Sequence, residues 1–179
     1  MQSEPQDGFT LSELLVVVAI VGIVVVAAIP LLSSQDSKKL DVAAEEVGNA
    51  LRFAVNEARR TDRHILVDAK STAGRLKVVK SDAGGANLGA VNDPLTKKAL
   101  DIDTAGSAFT APVSMTPRFM QGGTPYTQLL ISPAMQLSVF DGPAGNIGLL
   151  QSGSGIVVAL GGNSVTVTIH ESTGFVAIP

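Results

Sequence analysis

The chain contains no cysteine, no tryptophan and a single tyrosine. Without cysteine there is no disulfide, no thiolate metal centre and no thiol nucleophile. The compartment stays open, because many exported proteins do without disulfides. Aromatic residues make up 4% of the 179 positions, so a packed core has to rest on Val, Leu and Ile. Positive charge is also scarce. The formal net charge is −3, and from Ala99 to the C-terminus the only Lys or Arg is Arg118. Affinity for nucleic acid rests on Lys and Arg meeting phosphates, so a nucleic-acid partner is not expected. Catalytic patterns are missing too. His64 and His170 are the only histidines, and His170-Glu171 is followed by Ser172, Thr173 and Gly174 instead of an HExxH frame. Ser152-Gly153-Ser154-Gly155 lacks the GxSxG frame of a nucleophile elbow. Asp101-Ile102-Asp103 has no EF-hand around it and reads as a solvated loop pair. No enzyme activity, metal or cofactor is expected.

What the sequence does have is concentrated near its start. Leu14 to Leu32 reads LLVVVAIVGIVVVAAIPLL, with no charged or polar side chain. As a helix this run is long enough for a bilayer core of about 30 Å. It is apolar all round, whereas a helix on a soluble core keeps a polar stripe. The eight residues before Phe9, MQSEPQDG, hold Glu4 and Asp7 and no Lys or Arg. A secretory signal peptide would begin with basic residues and have a shorter apolar core. Glu13 stands out between the leucines at the head of the run. A carboxylate in hydrocarbon costs a few kcal/mol, so it marks a function or a partner. Taken alone, it reads equally well as a group solvated at the membrane surface.

Gly8, Phe9, Thr10, Leu11, Ser12 and Glu13 spell GFTLSE, directly before the apolar run. This resembles the processing and assembly signal of type IV prepilins and pseudopilins, and the match extends from Gly8 to about Leu32. The resemblance implies cleavage by a prepilin peptidase between Gly8 and Phe9, followed by methylation of the new amine of Phe9. It also implies that Glu13 neutralises the terminal amine of a neighbouring subunit during filament assembly. Glu13 lies four residues beyond Phe9, hence on the same helix face. An ion pair at low dielectric is far stronger than one in water, and losing one partner leaves a charge uncompensated. Gly22 and Pro30 stand where such pilins carry a Gly and a Pro, bracketing a segment that unwinds in the filament. Both weaken helix. One departure is the leader without a basic residue, since family leaders usually carry one.

Beyond a polar SSQDSKK patch, Leu40, Ala43, Ala44, Val47, Leu51, Ala54, Val55 and Ala58 recur at steps of three and four. That spacing predicts an amphipathic helix continuing the membrane helix, about 50 residues in all, with a kink near Pro30. The Arg59-Arg60-Thr61-Asp62-Arg63 cluster at its end reads as a solvated helix terminus. Strands are predicted at 64–69, 75–80, 135–140, 155–160, 164–170 and 174–178. Between Asp82 and about Gln128, Gly and Pro punctuate the chain, and long loops with short strands are expected.

The predicted fold class is α+β: a pilin-like fold with a long N-terminal helix packed on an antiparallel β-rich C-terminal head. The expected organisation is a leader at 1–8, a transmembrane and assembly helix at 9–32, its amphipathic continuation at 33–63 and a globular head at 64–179. Within the pilin-like group, Glu46, Leu51, Ala54, Glu57, Ala58 and Arg59, the segment 140–145 (FDGPAG) and the segment 172–176 are similar to the H-type minor pseudopilins of type II secretion (GspH/FimT-like). That resemblance implies a minor pseudopilin anchored once in a bacterial inner membrane, its head in the periplasm, entering a filament after assembly. Implied partners are other pilin or pseudopilin subunits, the prepilin peptidase, an inner-membrane assembly platform and membrane lipid. Two alternatives are a type IV minor pilin in pilus biogenesis, motility or DNA uptake, and a monomeric membrane-anchored binding module.

Overall fold

Helix α1 covers Leu11–Thr61, 51 residues in all, and Gly22 and Pro30 both lie within it. The computed structural model describes residues 10–69 and 74–179, leaving aside the side chains of 25–34 and 143. The chain divides into two compact units, residues 1–36 and 37–179.

In the first unit, the large apolar side chains from Leu11 to Val24 are all exposed, the least so being Val17 at 52%. Among the described residues, no packing surface covers them. In the second unit, α1 behaves as a soluble amphipathic helix. Leu40, Ala43, Ala44, Val47, Leu51, Ala54 and Ala58 are buried on one face, while Asp41, Glu45, Arg52 and Arg59 are exposed on the other. The alanines allow close approach to the strands. Gly48 goes further, because a Cβ there would lie 2.6 Å from Ile178 Cδ1. The helix closes at Asp62, whose φ of 53° is left-handed. The Arg63 N–H then donates back to the Ala58 carbonyl at 3.3 Å, the six-to-one bond of a Schellman-type stop.

Twelve strands follow: β1 (His64–Asp68), β2 (Arg75–Ser81), β3 (Asn87–Ala90), β4 (Asp101–Asp103), β5 (Ser114–Gln121), β6 (Thr124–Tyr126), β7 (Gln128–Ile131), β8 (Leu137–Asp141), β9 (Gly145–Leu149), β10 (Gly155–Leu160), β11 (Asn163–Ile169) and β12 (Val176–Ala177). They form two sheets. One runs β3-β2-β1-β7-β8-β9, with β4 also on β2; the other runs β12-β11-β10-β5-β6. The pairings are antiparallel throughout, as in Ile65↔Ile131 of β1–β7 and Val158↔Val165 of β10–β11. The main core joins the buried face of α1 to Ile65, Val67, Leu129, Val139, Ile156 and Val167. Among the described residues, Phe119 is its one fully buried aromatic. Each buried Val, Leu or Ile is worth about 1.5–3 kcal/mol, so an aliphatic core of this extent needs few aromatics.

A second, smaller cluster lies apart: Leu66, Leu130 and Phe140, with Val79 against them. In β1, Ile65, Leu66 and Val67 are all buried, so this strand is covered on both faces. The turn after β2 contributes to that cover. Its Asp82 carboxylate accepts from the Gly84 and Ala86 N–H groups, each at 2.9 Å. That fold presses Gly85 (φ 81°) onto the ring of Phe140.

The longest strand in the described residues, β5, lies in the stretch where long loops with short strands are expected, and it contains Pro117, one of the residues that punctuate that stretch. Pro117 pairs with Ile156 of β10, and on the other side β6 reaches only Phe119–Gln121. At Pro117 the strand is therefore an edge, where a missing N–H is tolerated. Strands β7 and β9 were also not anticipated.

Candidate assembly site at the start of the helix

Thr10 caps α1, and it does so reciprocally with Glu13. The Thr10 Oγ1 accepts from the Glu13 N–H at 3.3 Å, and the Glu13 carboxylate accepts from the Thr10 N–H at 3.3 Å. The Thr10 hydroxyl also donates to Glu13 Oε2 at 3.3 Å. The Thr10 carbonyl takes the Leu14 N–H at 3.2 Å, the first bond of the helix ladder. This is the S/T-x-x-E capping box, in which two helix N-terminal donors without ladder partners are satisfied by one pair of side chains. The carboxylate also sits at the positive end of the helix dipole, where negative charge is favoured.

The geometry therefore gives Glu13 a local role in addition to the one expected for it. It is exposed, and it is held back toward Thr10, the residue next to Phe9. Thr10 itself was not picked out as a site residue. The signal was present as T-x-x-E immediately before an apolar run. Gly8 and Phe9, the expected cleavage and methylation positions, lie outside the described residues. Gly22 is exposed, with nothing of the chain within 4 Å of where a Cβ would sit. Packing within one subunit thus gives no reason for a glycine there. The backbone at Pro30 is helical, and its side chain lies outside those described.

Among the described residues, no helix is long and apolar enough to cross a membrane, and the second half of the Leu14–Leu32 run is not among the side chains described.

Asp101 is paired with Arg75 at 2.7 Å, and the Asp103 carboxylate accepts from the Gly106 N–H at 2.8 Å. Among the described residues no cluster of His, Cys, Asp or Glu could hold a metal. His170 is exposed with its Nδ1 3.2 Å from Ser172 Oγ, while His64 begins β1 in the other sheet. In the arginine cluster, Arg60 makes a two-pronged contact with the buried Glu57, both bonds 2.8 Å. The hydrogen bond and charge of Glu57 raise the Arg60 pKa further above its ordinary value.

With a capped, apolar helix start and an amphipathic helix segment packed on an antiparallel head, the chain is type IV pilin-like. Residues 5–29 match the prokaryotic N-terminal methylation motif. No curated protein matches the chain. Two crystal structures of the type IV minor pilin FimU of Pseudomonas aeruginosa (strain PAO1) are similar at 17% identity over 78% of this chain. One covers 92% of that protein with a TM-score of 0.45, the other 87% with 0.48.

Proposed function

We propose that this chain is a filament subunit, made with a leader at 1–8, cut between Gly8 and Phe9, methylated at Phe9, and assembled through the helix that follows. The observation that carries this reading is the exposed apolar surface of α1 from Leu11 to Val24, led by one capped carboxylate. Apolar surface of that extent calls for lipid before assembly or other helices after it. The domains follow the same logic: 9–32 as the membrane and assembly helix, 33–63 as its amphipathic continuation, and 64–179 as the head. Localisation is a single-pass inner-membrane anchor with the head in the periplasm, and the partners are a prepilin peptidase, an assembly platform and neighbouring pilin-like subunits.

Minor pseudopilin of type II secretion is the machine favoured by the H-type residue pattern, with Glu57 buried at the helix–head junction and the 140–145 turn beside the Phe140 cluster. The same processing and assembly chemistry serves a type IV minor pilin. Deleting the gene separates the two: retained secreted enzymes point to the pseudopilus, and loss of surface pili with normal secretion points to the pilus.

Two substitutions test the assembly role. Glu13→Ala removes both cap and charge, while Glu13→Gln keeps a capping group and loses the charge. Both variants are expected to be cleaved after Gly8 and to be missing from the sheared filament fraction. A Glu13→Gln chain that enters filaments at the normal level would sink the ion-pair account and leave only the cap.

A further inference from the structure

Beside α1 the head builds a narrow hairpin that holds one leucine out to solvent. Its two legs are rooted in the core by Val91 and Leu100, both buried, and the Leu100 N–H donates to the Val91 carbonyl at 2.7 Å. Asn92 and Ala99 form a bridge above them, and the Asp93 N–H donates to the Lys98 carbonyl at 2.8 Å. At the tip, Asp93 Oδ1 accepts from the Thr96 N–H at 2.7 Å and from the Leu95 N–H at 2.8 Å. Those donors, Thr96 foremost, hold the Asp93 carboxyl below the usual carboxylate range. Leu95 itself is 90% exposed. A loop braced this closely has little conformational freedom left to lose on binding.

A groove runs between this hairpin and α1. One part, about 380 Å³, is lined by Glu46, Phe53, Asp93, Leu100 and Ile102. A second, about 430 Å³, shares Phe53 and Asp93 with the first and continues to Glu57, Arg60 and Lys97. From Glu46 to Arg60 the helix rises about 21 Å at about 1.5 Å per residue, which is the length of about six extended residues. The floor is apolar and the Glu46 end is acidic. Glu46 is partly buried, and among the described residues it makes no hydrogen bond or ion pair. At the other end Glu57 is already held by Arg60, which leaves Lys97, exposed, in excess.

A carboxylate drawn out of water without a partner is costly, and a cation brought to it offsets that cost. A Lys or Arg side chain has the right form, with an apolar stem for Phe53 and Ile102 and a charged head for Glu46 and Asp93. The groove is much longer than a free amine needs, and Lys97 at its far end disfavours a run of basic residues. A second copy of this chain is a poor occupant. From Ala99 onward its only Lys or Arg is Arg118, which lies inside β5 opposite Gly155 of β10.

We propose that this groove docks an extended segment of a different protein, which seats one Lys or Arg side chain against Glu46 and Asp93 and packs an apolar residue on Leu95. The contact requires neither cleavage at Phe9 nor a filament.

Photo-crosslinking of the full-length chain in its native membrane tests this. With p-benzoylphenylalanine in place of Leu95, irradiation is expected to join the chain to one other protein, at a peptide with a Lys or Arg close to the linkage. The same group in place of Thr166, exposed on the other sheet, should not give that product. Glu46→Gln should cut the product at least about ten-fold. That variant is expected to be the more stable one at neutral pH, so its loss of product cannot come from unfolding. Glu46→Lys should abolish the product, and replacing the partner's basic residue by Glu should bring it back. An unchanged yield in Glu46→Gln, a linkage peptide without a basic residue, linkage to a second copy of this chain, or no linkage at all would each overturn the groove assignment. Chains that retain residues 1–8 and still crosslink would count against the filament reading alone.

Discussion

Single positions decide more here than the composition suggests. Gly85 holds a φ of 81° with the Phe140 ring where a Cβ would go. Gly85→Ala therefore combines a left-handed backbone with a steric clash, and the expected loss is about 1–3 kcal/mol. A lowered midpoint in chemical denaturation checks it, and an unchanged midpoint would mean that the turn simply lifts away. Glu46 is another such position. It lines a cleft with Phe53, Leu100 and Ile102, and partial burial raises its pKa above the ordinary carboxylate value. A raised carboxylate pKa means that the folded state disfavours the charge. Its contribution to stability is full below the unfolded pKa and is lost as pH rises through the folded one. Glu46→Gln should therefore be more stable than the natural chain at neutral pH, with the advantage fading in acid. Denaturation midpoints across pH 3–8 would show that slope.

At the scale of elements, the helix was the legible part. The three-and-four spacing from Leu40 to Ala58 is carried by side chains that all turn out to be buried, because helical periodicity is imposed locally. The hairpin of β10 and β11 was equally plain, since Gly161-Gly162 marks its turn between two alternating runs. Strands β5, β7 and β9 were not legible. Pro117 reads as a breaker until β6 is known to stop short of it. Gln128–Ile131 is buried throughout, so it shows no alternation, and β9 is glycine-rich with a register shift against β8. Each of these is settled by a neighbouring strand, which local pattern cannot supply. The T-x-x-E cap is legible as a sequence pattern, although the charge of Glu13 at the head of an apolar run is the more conspicuous signal. A further expectation belongs to this scale. If the segment bracketed by Gly22 and Pro30 unwinds on assembly, replacing both by Ala stiffens it, by about 1 kcal/mol at the glycine and 3 at the proline. The double variant should be processed normally and enter filaments poorly, as read by comparing membrane and sheared fractions. Normal incorporation would mean that the helix assembles without unwinding.

Over the whole molecule, two kinds of surface meet in one helix. Residues 1–36 and 37–179 are separate compact units. From Leu11 to Val24 the first shows its large apolar side chains outward, and the second buries such side chains against two sheets. That division explains why a chain with 45% hydrophobic residues and 4% aromatics can have both a well-packed head and an unsatisfied apolar helix. The head completes its own core, while the large apolar side chains from Leu11 to Val24 stay exposed. The capping box joins two demands at the N-terminus. It satisfies the helix start and holds the Glu13 carboxylate, four positions beyond Phe9 in the sequence, against Thr10.

The central claim is that Phe9 becomes the terminus after cleavage. Mass spectrometry of the N-terminal peptide from protein isolated from its native membrane tests this most directly. The account predicts a chain beginning at Phe9 with one added methyl group on its amine. A chain retaining residues 1–8, or one cut elsewhere, would contradict it and leave a membrane-anchored β-rich binding module in its place.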